Sequence, residues 1–380
     1  MTSIAELNVP GVSEGSARES HPVVTVVTPL EWVPDVWRGE RLKYPPAVDY
    51  SMKTLLLNSA EVDKNAQIEK IIDALEAAFR AYERGDVEMP PKSYIDLPQY
   101  NGDFRSMPAY LDAGEWDAAG LKWVNVHPDN EDQFGMPTVM GTVVYSDPET
   151  AFPLAVMDGT ELTKKRTGAA AAVATDHLAI PDARSLGLVG AGVQAVTQLE
   201  AISTVRPIEE VVVTDVDEAA AAQFVDRFAG EFDVRAGSVA EVAGCDVVST
   251  LTPVTDPIVP RDAVGEHTHI NSMGADAAGK HELEDEILMD AKLTIDDYEQ
   301  CTHSGEINVP WSAGLLSDDD LHGEIGAIVG GSREGRNPDD GITVFDSTGL
   351  AIQDIAAARV VFEYADKNGN GYPFDLLGVA

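Results

Sequence analysis

Basic side chains are scarce in this chain, 26 against 65 acidic ones, so those set in apolar or glycine-rich surroundings carry the most information. Lys92 stands in Met89-Pro90-Pro91-Lys92, Arg105 in Phe104-Arg105-Ser106-Met107-Pro108, Lys122 in Leu121-Lys122-Trp123-Val124-Asn125, and Arg166 before Thr167-Gly168-Ala169. A lone cation on a strand ordinarily pairs with a surface acid. Four cations converging on one cleft would instead hold a carboxylate substrate, arginine offering a bidentate fork and lysine a point charge.

A second chemistry is written in Gly190-Ala191-Gly192-Val193-Gln194-Ala195, which follows the apolar run Ser185–Val189 and opens an Ala/Leu-rich helix. In such a turn Gly190 permits the tight bend and Gly192 lets the backbone approach a pyrophosphate. Ala195 lets helix and strand pack closely, and the helix N-terminus holds the phosphates. Another strand, Val211–Thr214, ends at Asp215, about 20 residues downstream, where dinucleotide folds place an acid on the adenosine ribose hydroxyls. That carboxylate would repel a 2′-phosphate, so the spacing points to NAD over NADP. The bland alternative is a solvated acid in an acidic sequence.

These residues need elements to position them. Thr54–Asn58 reads as a short strand and Ala60–Arg84 as a helix closing on Gly85. Strand-like pieces follow at Ser93–Leu97, Arg105–Leu111, Gly120–Val126, Thr138–Tyr145 and Leu154–Asp158, which predicts a mostly antiparallel sheet. Leu162–Leu178 reads as a helix leading out of this region. Strand and helix then alternate: Ser185–Val189, Val193–Thr204, Glu209–Thr214, Glu218–Phe228, Val247–Thr250, His269–Ser272 and Thr343–Asp346, with a last helix from Ile352 to about Tyr364. Such alternation predicts a parallel sheet with helices on both faces. The fold class is therefore α/β: a Rossmann dinucleotide-binding domain over 167–348 and an α+β substrate-binding and dimerisation domain over 53–166 and 349–380. Residues 1–52 read as an arm of unassigned role.

Composition bounds the function. A formal charge of −39 repels nucleic-acid phosphates and anionic lipid, which argues against nucleic-acid and membrane partners. No run reaches the ~20 apolar residues of a bilayer span, and Met1–Pro10 lacks a signal-peptide pattern. The acidity is spread along the chain and only 11 residues are lysine. That pattern suits the cytoplasm of a halophile, where a Debye length of ~3 Å at 1 M salt mutes self-repulsion. Cys245 and Cys301 form no disulfide framework and read as core residues. His267 and His269 share one strand face without a third ligand at zinc-like spacing, so no metal site is expected.

Several ordered segments resemble the ornithine cyclodeaminase/μ-crystallin family: Lys122–Pro128, Ala155–Gly159, Lys165–Ala169, His269–Leu283 and Val344–Asp354. The resemblance runs from about Thr54 to the C-terminus. It implies an NAD-dependent enzyme that passes hydride from the α-carbon of a small L-amino acid to the nicotinamide, leaving an imino acid, and that works as a homodimer. It further implies that Lys92, Lys122 and Arg166 surround the substrate carboxylate. Asp276 would be the proton-transferring acid, kept ionised by an opposing Lys122, and Lys280 the cofactor-side lysine. Ser347 would open the last helix near the nicotinamide, with Thr138, Arg166, Val193, Gln194, Thr250, Thr252 and Met273 also facing the cofactor. His127 is implied at the pocket edge.

One position discriminates among members. Ornithine-cyclising relatives carry Glu two residues before the Met-Pro pair, to meet a distal ammonium; this chain has Arg105. A cation facing an ammonium is unfavourable. Arg105 and Met-Pro-Pro-Lys92 look closest to the archaeal alanine dehydrogenases of the family, which implies oxidation of L-alanine to pyruvate. Ornithine cyclodeamination to proline is the alternative, and a non-catalytic nucleotide- and ligand-binding protein of μ-crystallin type the third reading.

Overall fold

The computed structural model describes residues 53–378; the expected arm over 1–52 lies outside them. In chain order the strands are β1 (Thr54–Leu57), β2 (Val87–Glu88), β3 (Ser93–Leu97), β4 (Gly102–Asp112), β5 (Asp117–Val126), β6 (Val139–Ser146), β7 (Pro153–Asp158), β8 (Ser185–Val189), β9 (Glu210–Thr214), β10 (Asp233–Ala236), β11 (Val247–Thr250), β12 (His269–Ser272), β13 (Lys292–Ile295), β14 (Leu321–Glu324), β15 (Thr343–Asp346) and β16 (Tyr372–Phe374). They form two sheets. The first runs β16-β1-β7-β6-β5-β4-β2, with β3 also paired to β4. It is antiparallel except where β1 lies parallel to β7.

The second sheet runs β10-β9-β8-β11-β12-β15-β13-β14 and is parallel throughout. The α/β, Rossmann-type class follows from this order. Neighbouring residues on its strands face opposite ways: Val211, Val213 and Val247 enter one apolar cluster, Val212 and Val248 another. Both faces are thus buried, as a parallel sheet requires.

Helix Gly159–Leu178 leads from β7 toward β8. Asp158 caps it by accepting from the Glu161 amide at 2.7 Å, which fixes where it starts. Its Ala-rich body is almost wholly buried. At Gly168 a Cβ would collide with the Thr197 carbonyl oxygen, so helix Val193–Val205 approaches closely only because that side chain is absent. Helix Ile68–Arg84 buries Ile71, Leu75, Ala78 and Phe79 along one stripe and stops at Gly85 in the left-handed region, φ 75°. Helix Ala351–Lys367 packs into the same core.

The expected helix Ala60–Arg84 is two helices. Asn58 and Glu61 form a capping box that starts Ser59–Asn65, and the chain leaves helical geometry at Ala66 before Ile68 resumes it. Strands β2, β10, β13, β14 and β16 have no counterpart among the expected elements. Four of these are short edge strands, and all carry too few alternating apolar residues to announce themselves. Among the described residues no helix is long and apolar enough to cross a membrane.

Candidate functional site

Strand alternation on β5 turns Lys122 inward and Trp123 outward. The Lys122 side chain is 2% exposed, and its Nζ lies 2.7 Å from Asp354 Oδ2. Asp354 Oδ1 accepts from Arg166 Nε at 3.0 Å, and Arg166 Nη1 donates to Gln353 Oε1 at 3.0 Å. One fully buried carboxylate on the last helix therefore holds both cations. Burial pushes the Lys122 amine down to about 8; Asp354 opposes that and the Arg166 charge adds to it. Gly349, at φ 76°, makes room: a Cβ there would stand 2.5 Å from Arg166 Nη1.

Lys92 donates from Nζ to the Thr348 carbonyl at 3.0 Å. Burial lowers its amine, and the charges it feels most are Asp296, Arg166, Asp276 and Arg105. It thus stands between the Lys122–Arg166 pair and a second ionic group. In that group Arg105 donates from Nε and Nη2 to the two oxygens of Asp103, at 3.0 and 3.1 Å, and from Nη1 to Asp276 Oδ2 at 3.1 Å. The Tyr94 ring lies beside the same guanidinium, 5.4 Å from centroid to Cζ. Lys280 Nζ is 2.5 Å from Asp276 Oδ1. Burial alone would raise the Asp276 pKa, but Lys280 and Arg105 together hold it below the usual carboxylate value.

The expected arrangement is corrected in one respect. Asp276 is kept ionised by Lys280 and Arg105, whereas Lys122 is paired with Asp354. The reason is reach: Lys280 lies one turn along the same loop, and Lys122 points to the last helix.

At the other end, Gly190 takes φ 105° at the turn after β8 and its amide donates to the Thr214 carbonyl at 2.8 Å. Gly192 precedes helix Val193–Val205, and a Cβ added there would meet open space. Val193 is 60% exposed on the first turn, with Gln194 beside it. Asp215 at the end of β9 accepts the Ala191 amide through Oδ2 at 2.7 Å. An open glycine turn, the N-terminus of a helix of thirteen residues and an acid at the neighbouring strand end fit a dinucleotide.

Thr250 ends β11, with its hydroxyl 3.3 Å from that of Ser272. Thr252 and Met273 follow the ends of β11 and β12, and the Met273 amide donates to the Thr250 carbonyl at 3.0 Å. Ser347 lies in the turn after β15, ahead of the last helix; its hydroxyl donates to Asp296 at 2.8 Å. Thr138 sits just before β6, its carbonyl accepting the His127 amide at 2.8 Å. His127 rests edge-on against Phe104, which stacks on Trp123. His269 is buried with its nitrogens on Thr343 and Asn271, and both cysteines are buried. Among the described residues no cluster of His, Cys, Asp and Glu could hold a metal.

Sequence reasoning missed Asp354, Gln353, Asp296 and Asp103. The first two leave a trace, as a polar pair in the otherwise apolar Ala351-Ile352-Gln353-Asp354-Ile355-Ala356. Asp296 and Asp103 leave none, because acids are everywhere in this chain.

The model of the ornithine cyclodeaminase/mu-crystallin family matches residues 52–369. The chain is similar to an alanine dehydrogenase of Archaeoglobus fulgidus, 46% identical over 83% of this chain and 96% of that one. Among solved structures it is similar to an archaeal alanine dehydrogenase dimer with bound NAD, at a TM-score of 0.81 and 45% identity over 86% of this chain and all of the other. It is also similar to the Δ1-pyrroline-2-carboxylate reductase of Thermococcus litoralis in complex with NADH and L-proline, at a TM-score of 0.80 and 34% identity over 84% and 99% of the two chains.

Proposed function

The chain belongs to the ornithine cyclodeaminase/mu-crystallin family, and from that premise we propose that it is an NAD-dependent L-alanine dehydrogenase. It converts L-alanine, NAD and water to pyruvate, ammonia and NADH by way of the α-imino acid. The observation that carries this reading is the cation excess around Asp276. Lys92, Arg105, Lys122, Arg166 and Lys280 face Asp103, Asp276, Asp296 and Asp354. A substrate carboxylate balances the surplus. A methyl side chain adds no further charge, whereas a distal ammonium would.

Gly190, Gly192, Val193 and Gln194 would hold the diphosphate of NAD and Asp215 its ribose, and the bound cofactor would supply the hydride acceptor. Lys122 and Arg166, fixed by Asp354, grip the substrate carboxylate together with Lys92. The same carboxylate competes for Arg105, which frees Asp276 Oδ2 and raises its basicity. Asp276 then takes the proton of the α-ammonium and passes it to solvent as the net proton of the reaction, takes one from the attacking water and returns that one to the departing ammonia. Thr250, Thr252, Met273, Ser347 and Thr138 shape the nicotinamide end.

A second reading rests on Asp103. Its carboxylate accepts two bonds from Arg105, and if Arg105 turns away it would meet a distal ammonium, giving cyclodeamination. The chain acts as a homodimer through the outer face of the first sheet, where Ile95 and Trp123 are exposed, in the cytoplasm of a salt-accumulating cell.

Initial rates with L-alanine and with L-ornithine, for the wild type and Arg105→Glu, test the proposal. Alanine is the expected substrate of the wild type, and R105E is expected to lose alanine turnover and gain affinity for ornithine. Unchanged alanine kinetics in R105E would remove the discriminator, and no turnover with either substrate would favour a binding protein.

A further inference from the structure

One buried carboxylate stands outside the reaction just described. Glu282 follows the loop that carries Asp276 and Lys280 and is fully buried. Its Oε1 accepts the Thr252 amide at 2.8 Å and the Thr252 hydroxyl at 2.7 Å. Its Oε2 has no hydrogen-bond partner and lies against Gly274, where a Cβ would collide with it and with the Thr252 carbonyl oxygen. One carboxyl group therefore clamps two loops, the one with Thr252 after β11 and the one with Asp276 after β12.

The group opposite is Glu306, also fully buried. Its Oε1 accepts the amides of Glu282 and Leu283 at 2.8 and 2.7 Å and lies 3.0 Å from His281 Nδ1. Its Oε2 likewise has no partner. His281 also reaches Asp285, and the Glu306 amide donates to the buried Asp346. From the β11 side the neighbours are the hydroxyls of Thr250 and Thr252. Burial and the neighbouring Glu306 both disfavour the charged form of Glu282, whose Oε2 is bare. Burial first, then Glu306, pushes Glu282 up to about 7.

We infer that Glu282 is a positioning residue: it holds the Thr252 and Gly274–Lys280 loops in the geometry that receives the dinucleotide, and its ionisation, opposed by Glu306, disturbs that geometry and weakens cofactor binding. Ionisation adds a negative charge beneath a site built for a diphosphate and sets Glu282 against Glu306. The inference rests on the proposed NAD reading but not on the choice of amino acid.

The test is NADH binding to the full-length protein without amino acid, followed by nucleotide fluorescence from about pH 6 to 8.5, a span that brackets the Glu282 value. The wild-type Kd is expected to rise about fivefold across that span, a typical coupling between two linked equilibria. Glu282→Gln, which keeps the acceptor for Thr252 but cannot ionise, is expected to hold the tighter value throughout. Glu306→Gln removes the opposing charge, so it is expected to move the midpoint to lower pH, and it serves if E282Q fails to fold. Amide hydrogen exchange in the apoprotein, corrected for intrinsic rates, should show both loops loosening above neutrality in the wild type and not in E282Q. A pH profile of E282Q superimposable on the wild type, or an E306Q midpoint that does not shift, would overturn the role. Absence of NADH binding at any pH would count against the cofactor reading, and the exchange data would still decide the role of Glu282.

Discussion

The tightest constraint on any substrate is the pairing of Lys122 and Arg166 on one buried carboxylate. Asp354 offsets part of their charge, yet burial still brings the Lys122 amine down to about 8. A lowered lysine pKa means that the cation is present below that value and lost above it. Pyruvate has a carboxylate but no amine to confuse the titration. Its affinity for the NADH complex, read by quenching of nucleotide fluorescence, is therefore expected to weaken above about pH 8, and Lys122→Met should bind it weakly at every pH. An affinity still flat at about pH 10, close to where an ordinary lysine titrates, would show that Lys122 does not hold the ligand. The same pair shows what sequence can and cannot reveal. Lys122 and Arg166 stood out because cations are rare here. Asp354 was one acid among 65, and its importance arises only when the last helix folds back onto β5.

At the scale of elements, the turn after β15 decides whether that fold-back succeeds. Gly349 combines φ 76° with a Cβ position 2.5 Å from the Arg166 guanidinium, and its amide donates to Asp296 at 2.9 Å. Gly349→Ala is expected to cost about 1–3 kcal/mol from the left-handed backbone and to displace Arg166, raising the alanine KM more than it lowers kcat. Urea unfolding and steady-state kinetics measure the two effects, and a variant as stable and as active as the wild type would contradict this role. Strand and helix alternation from Ser185 to Phe228 was legible because each element there carries its own apolar period. The break at Ala66 was not, since the apolar spacing of Val62, Ile68 and Ile71 runs on across it and only the non-helical backbone of Ala66 ends the first helix. The site itself was legible as a set of cations and an acid. Who pairs with whom was not, because pairing depends on the approach of loops from two sheets, as the transfer of Asp276 from Lys122 to Lys280 and Arg105 shows.

For the whole molecule, charge sets the conditions under which any of this can be measured. A chain at −39 with cations drawn into its cleft leaves a surface of uncompensated acids. Screening by salt should therefore stabilise it: the unfolding midpoint is expected to rise steadily from about 0.1 M to molar KCl as the Debye length shrinks from ~10 to ~3 Å. A midpoint that falls with KCl would contradict a salt-adapted exterior. In such a buffer, the fate of the α-hydrogen tests the central proposal most directly. With L-alanine carrying deuterium at the α-carbon and unlabelled NAD, the expected products are pyruvate and an equal amount of NADH bearing the deuterium. Label that stays on the α-carbon of alanine, with no NADH formed, would contradict it.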